Sequence, residues 1–223
     1  MLKENLEKVY SEISGGNNLG EEITLVGATK TMPYQTINEA IDLGLNVIAE
    51  NNAYEFRDKK DFVKGGTWHF IGHLQTNKVK FVVGNVYLIH SVDSVRLANA
   101  INDVATKKGV IQDILVEVNI SKEESKSGFF PEDLDKAISE INALSNVKIK
   151  GLMTMLPLGS KIEKAEIYFK NMRAIYDDYK KKGFPFTYLS MGMSGDYLTA
   201  IKNGSNMIRL GTALFGKRNY GEK

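Results

Sequence analysis

Apolar residues recur along this chain in two alternating rhythms. Leu2, Leu6, Val9, Tyr10 and Ile13 fall three or four positions apart, one face of a helix, and predict an opening helix. Beyond it, short β-branched runs alternate with longer helical patterns. The strands read from those runs are 23–29, 47–50, 68–72, 88–92, 113–119, 147–155, 188–192 and 207–212. Among the helices, Pro131 suits a first-turn position ahead of Leu134, Ala137, Ile138, Ile141 and Leu144. Ser160 and Glu163 form a capping box before the stripe Ile162, Ala165, Phe169, Met172, Tyr176 and Tyr179, which reads as core packing. Strands separated by helices of roughly 10–20 residues imply parallel βαβ units. Eight is the number at which a barrel closes with its interior filled, although an open doubly wound sheet also holds many strands. With no linker or change of composition, the expectation is a single α/β domain over residues 1–223. Its expected form is a (β/α)₈ TIM barrel with an extra N-terminal helix.

Composition narrows the chemistry. The 223 residues are 43% hydrophobic and 25% charged, with a formal charge of +2 and interspersed signs, so no broad nucleic-acid surface is expected. The run Lys180, Lys181, Lys182 reads as the basic end of a helix, opposing its dipole. The absence of cysteine excludes disulfides, thiolate metal sites and thiol nucleophiles, and suits a reducing cytoplasm. No apolar run approaches the ~20 residues that span a bilayer, and the charged opening MLKENLEKVYSEIS is unlike a signal peptide. His69 reads as a satisfied core residue, while His73 and His90 lie at strand ends within reach of a ligand. Their spacing is not that of a metal site.

In parallel α/β architectures ligands bind at the carboxyl ends of the strands. Polar residues that fall there include Lys30, Glu50, Asn51, His73, His90, Asn119 and Thr154, then Gly192-Met193-Ser194-Gly195-Asp196 after the seventh strand and Arg209 in the eighth. The Gly192–Gly195 turn, with Ser194 as a helix N-cap, and Gly211-Thr212 both lead into short helices. Either glycine pair alone is explained by a tight turn. Together, on adjacent strands, they point to phosphate. The stretch Gly211 to Lys217 matches GxxxxGK, but Arg218 stands where a magnesium-binding Ser or Thr belongs, so a nucleotide P-loop is not expected. Lys30 either snorkels to the surface or is a partly buried Schiff-base nucleophile. Arg209 is either half of a structural ion pair or a donor to a ligand, and spacing does not separate the two. If the barrel closes, the first strand meets the eighth. A reactive lysine, an inward arginine and a phosphate rim then converge, the combination that pyridoxal 5′-phosphate (PLP) chemistry needs.

At these residues the sequence resembles the pyridoxal phosphate homeostasis protein family. The resemblance rests on Ala28-Thr-Lys30-Thr, Glu50-Asn51, Trp68-His-Phe-Ile-Gly-His-Leu-Gln-Thr-Asn-Lys78, Ser125-Lys-Ser-Gly128, Gly151-Leu-Met-Thr-Met155, Leu189-Ser-Met-Gly-Met-Ser194 and Ile208-Arg-Leu-Gly-Thr-Ala-Leu-Phe-Gly216. It implies a barrel like the amino-terminal domain of alanine racemase, with Lys30 as the Schiff-base lysine and Arg209 at the pyridine nitrogen. Ser194, Gly195, Gly211 and Thr212 would hold phosphate, and Asn51 and Met193 would line the ring pocket. The expected function is a PLP carrier or buffer without robust catalysis, cytoplasmic and monomeric, with apo-PLP enzymes as recipients. Alanine racemase adds a second domain that supplies an opposing base, whereas here only residues 217–223 follow the final helix. The alternatives are a PLP-dependent amino-acid racemase using Tyr197 or another group at the barrel mouth, and a nucleic-acid-binding module resting on Lys180–Lys182.

Overall fold

The computed structural model describes residues 1–157, 159 and 161–216. Its strands are β1 (Thr24–Ala28), β2 (Val47–Glu50), β3 (Thr67–Phe70), β4 (Leu88–Val92), β5 (Gln112–Glu117), β6 (Val147–Met153), β7 (Tyr188–Ser190) and β8 (Met207–Leu210). They pair in sequence order, all parallel, and β1 closes on β8 with Val26 opposite Arg209. The expected closed barrel is therefore the architecture found. β2 and β4 have the expected bounds, whereas the other six strands are shorter than the runs that foretold them; beyond β5 and β6, polar side chains take over the backbone. Thr154 Oγ1 donates to Val118 O at 2.7 Å, and Asn119 Nδ2 donates to Glu123 O at 2.8 Å.

The helices are α1 (Leu2–Ile13), α2 (Tyr34–Asp42), α3 (Ala53–Lys59), α4 (Val79–Val82), α5 (Val95–Lys108), α6 (Leu134–Asn142), α7 (Ile162–Lys181), α8 (Tyr197–Lys202) and α9 (Thr212–Phe215). Pro131 opens a single 3₁₀ turn leading into α6, as its fixed φ favours. Ser160 of the expected capping box lies outside the described residues, and α7 starts behind Lys161 without a side-chain cap. Lys180 and Lys181 end α7, and Lys182 pairs with Asp135 and Asp178. The Thr-Ala-Leu-Phe stretch of the P-loop look-alike is α9, with Leu214 fully buried, while Lys217 and Arg218 lie outside the described residues. No helix among the described residues is long and apolar enough to cross a membrane.

Two layers of core result. Outside the strands, the helices bury their apolar stripes. Because α8 and α9 are short, α1 covers the β8–β1 seam. Leu6, Val9 and Ile13 pack with Leu25, Ile208, Leu210 and Leu214, and Asn5 Nδ2 ties α1 to Leu214 O at 2.8 Å. Each such buried aliphatic side chain contributes about 1.5–3 kcal/mol. Inside, Val26, Ala28, Ala49, Ile71, Leu88, Leu115, Met153 and Met207 form a small apolar cluster.

The β5–β6 register slips between Ile114 and Leu115, an irregularity that brings Gly151 opposite Leu115. Gly151 has φ +150°, and a Cβ there would lie 1.8 Å from Tyr188 O. Gly151→Ala is therefore expected to destabilise the fold by about 3 kcal/mol or more, read as a lower urea midpoint.

Candidate functional site

A cavity of about 470 Å³ opens at the carboxyl end of the barrel. Lys30, Asn51, Met193, Ser194, Gly195, Arg209, Gly211 and Thr212, the residues singled out from sequence, all line it. Closure explains this. With Val26 opposite Arg209, the chain after β1 and the chain after β8 emerge side by side.

Arg209 points inward and is 4% exposed. Its Nη1 donates to Ser190 Oγ at 2.6 Å and its Nη2 to Thr154 O at 2.9 Å. Among the described residues it makes no ion pair, so the structural salt bridge left open by the sequence is not formed. Burial pushes the guanidinium down to about 10, and Glu117 and Asp196 pull it back through space, so it stays charged at neutral pH. Ser190 continues a chain along the barrel axis: His90 Nδ1 lies 3.1 Å from Ser190 Oγ, and His90 Nε2 lies 2.9 Å from His69 Nδ1. Arginine cannot accept, so Ser190 Oγ accepts from it and shares a second hydrogen bond with His90 Nδ1, as His90 Nε2 does with His69 Nδ1. Both histidines are neutral. Burial pushes His69 down to about 3, and burial, His69 and Arg209 together push His90 well below its ordinary value. His69 is thus the satisfied core residue expected, while His90 lies wholly beneath the mouth. His73 sits at the rim, 3.1 Å from Asp93 Oδ2.

The two glycine loops are joined by Ser194. It does not cap the helix that follows it, as the sequence suggested. Its Oγ reaches across to accept from Gly211 N at 3.2 Å and Ala213 N at 3.1 Å, while Asp196 precedes α8 and accepts from Met193 N at 2.6 Å. Among the described residues, the N–H groups of Ser194, Gly195 and Thr212 make no hydrogen bond. With the Ser194 hydroxyl proton they form a set of donors suited to a phosphate.

On the opposite wall, Asn51 Oδ1 is buried without a partner, an acceptor waiting for a ligand donor. Gly72 allows this placement, because a Cβ there would lie 2.0 Å from Asn51 O. Donors for a phosphate, a guanidinium, an amine and an orphaned acceptor fit a phosphorylated pyridine aldehyde. Tyr197 does not join them. Its hydroxyl donates to Glu12 on α1, and burial together with Glu12 pushes it up to about 12.

Besides Ser190 beneath Arg209, two features beside the cavity escaped the sequence reading. One is Lys59 beneath Lys30. The other is Glu117, which faces inward from β5 and is 4% exposed, its carboxyl group making no hydrogen bond or ion pair among the described residues. Strict alternation of Asp113, Leu115 and Glu117 was the available signal. Burial, then Asp93, push its carboxyl up to about 7 from 4.5, against the pull of Arg209. The folded chain therefore holds a proton between pH 4.5 and 7 that the unfolded chain has lost, and this group's contribution to stability falls as pH rises through that window. Glu117→Gln is expected to flatten that slope and raise stability at pH 8 by about 2 kcal/mol, measured by urea unfolding at pH 5 and pH 8.

Comparison with known proteins agrees with this geometry. Residues 26–219 match the family described as alanine racemase, N-terminal domain. The chain is 41% identical over 220 residues to the pyridoxal phosphate homeostasis protein of Aquifex aeolicus, covering 97% of this chain and 95% of that one. To the protein of the same name from Escherichia coli K12 it is 35% identical over 232 residues, covering 100% and 99%. PipY of Synechococcus elongatus PCC7942, solved with PLP bound, is similar with a TM-score of 0.86 at 30% identity, covering 97% and 100%. An alanine racemase from Clostridium difficile 630 shares the fold, with a TM-score of 0.77 at 19% identity over 98% of this chain and 57% of that one. The chain belongs to the pyridoxal phosphate homeostasis protein family, built on the alanine racemase N-terminal domain.

Proposed function

We propose that this protein binds PLP through a Schiff base to Lys30 and serves as a carrier or buffer of the cofactor. The observation that carries the reading is one cavity shared by Lys30, an inward Arg209 without a carboxylate partner, and the rim of Ser194, Gly195, Gly211 and Thr212, in which Gly211 N–H holds Ser194 Oγ and the other three N–H groups are free. When bound, PLP supplies an aldehyde for an amine and a pyridine ring that withdraws electrons. Lys30 presents its amine from the end of β1. Arg209 donates an N–H at the pyridine nitrogen and keeps that nitrogen unprotonated, since a guanidinium does not give up its proton there. Asn51 and Met193 flank the ring. A ring so held withdraws electrons less strongly than one paired with a carboxylate, which favours holding the cofactor over reacting with it.

The lining groups support a carrier. Among the described residues, Lys30 and Asp196 are the amine and the carboxyl group that line the cavity, and Asp196 is engaged with Met193 N in the phosphate turn. Racemisation needs a proton-transfer group on each face of the substrate carbon, and Tyr197, the candidate for the second, faces Glu12 instead. Apo-PLP enzymes in the cytoplasm would be the recipients, and the carrier would act as a monomer.

Purified protein is expected to show a near-ultraviolet or visible band that borohydride bleaches while fixing the cofactor at Lys30, and Lys30→Ala is expected to lose both band and adduct. Ser194→Ala should weaken competition by inorganic phosphate about tenfold, the scale of a hydrogen bond to a charged group, while Arg209→Ala leaves it nearly unchanged and alters the band. Deuterium exchange at an amino acid's α-carbon faster than about 1 s⁻¹ would replace the carrier reading with the racemase one.

A further inference from the structure

Lys30 sits in a turn that is held from behind. The carbonyl before it, Thr29 O, accepts from Lys59 Nζ at 3.1 Å, and the N–H after it, Thr31 N, donates to Glu55 Oε1 at 2.5 Å. The same Lys59 ammonium reaches Glu50 Oε1 at 2.8 Å and Glu55 Oε1 at 2.6 Å, so each of its three N–H bonds has an acceptor. Glu50 Oε1 also accepts from Thr29 Oγ1 at 2.8 Å. Glu50 is fully buried, and the Lys59 side chain is 14% exposed. None of Glu50, Glu55 and Lys59 lines the cavity.

The target of this triad is informative. A buried ion pair is weak evidence for stability, since desolvation offsets much of its attraction. Here the neutral contacts of the charged groups include Thr29 and Thr31, the residues on either side of Lys30, besides Asn51 N, which donates to Glu50 Oε2 at 3.3 Å. Thr31 has φ +66°, a left-handed conformation that side chains other than glycine seldom adopt. A residue in that region needs its surroundings to hold it there, and the Glu55 carboxylate at its N–H does so.

We propose that Lys59, with Glu50 and Glu55, is a positioning device that fixes the backbone on both sides of Lys30 and aims its Nζ at the cofactor aldehyde. It thereby sets how firmly the covalent bond is retained against exchange. The proposal rests on the PLP reading above. In the step concerned, the neutral Lys30 amine forms a bond to the aldehyde carbon. The aldehyde oxygen leaves as water with the two amine protons, and hydrolysis reverses both changes. The triad takes no part in those transfers. It acts through the direction in which Lys30 leaves the strand.

The test compares two probes on the intact chain: PLP, and pyridoxamine phosphate, which has the same ring and phosphate but no aldehyde. Lys59→Met is expected to weaken PLP binding about tenfold, the scale of one charge-assisted hydrogen bond, and to change pyridoxamine phosphate binding less than about twofold. Glu55→Ala, at a partly exposed position, should shift PLP binding in the same direction, and Glu55→Gln, which keeps an acceptor for Thr31 N, should restore it to within about threefold. If Lys59→Met does not fold, the Glu55 pair carries the test. Equal losses for both probes, or unchanged PLP affinity in the folded variants, overturn the positioning role while leaving the Lys30 reading intact. A wild-type chain that binds pyridoxamine phosphate yet gives no borohydride-fixed bond with PLP overturns the Lys30 reading, and the proposal with it.

Discussion

The pairing of β1 with β8 is the constraint on which the rest of this structure depends. Four register pairs, from Thr24–Met207 to Gly27–Leu210, join the two ends of the described strand order. They place the residues after each strand on one rim. Without that seam, Lys30 and Arg209 would stand at opposite edges of a sheet. With it, an amine, a guanidinium and a set of free N–H groups surround a single cavity. The short β7–β8 contact, a single register pair at Ser190 and Met207, leaves room there for two glycine loops, which Ser194 then joins.

The barrel axis solves a second problem. A cation buried without a counterion is costly, and most proteins place a carboxylate beside it. Here Arg209 is held by a hydroxyl and a carbonyl, with two neutral histidines aligned behind the hydroxyl. The arginine is thus fixed while its positive charge remains available to an anionic ligand. Glu117 and Asp196 reach it only through space.

Much of this was legible in the sequence because the carboxyl-end rule converts strand positions into site positions. Apolar β-branched runs located the strands, so Lys30, Arg209 and both glycine loops followed. Strand ends were read too far because Asn119 and Thr154 engage the backbone through side-chain bonds that periodicity does not encode. Ser190, Glu117 and Lys59 escaped for a related reason: each gains its role from a neighbour on another element. Tyr197 and Ser194 show the same limit from the other side. Their spacing suggested the mouth and a local cap, but rotation of α8 sends Tyr197 to Glu12, and Ser194 serves the loop after the next strand.

The opening helix has a consequence for how this domain is delimited. The matched family region starts at Val26, inside β1, whereas α1 lies over the seam where the barrel closes. A fragment cut to that boundary would lose Thr24 and Leu25 from the closing strand. It would also bare the greasy flank formed by Ile208, Leu210 and Leu214. Such a fragment should be sticky and poorly soluble, so the self-sufficient unit is larger than sequence similarity alone would draw it.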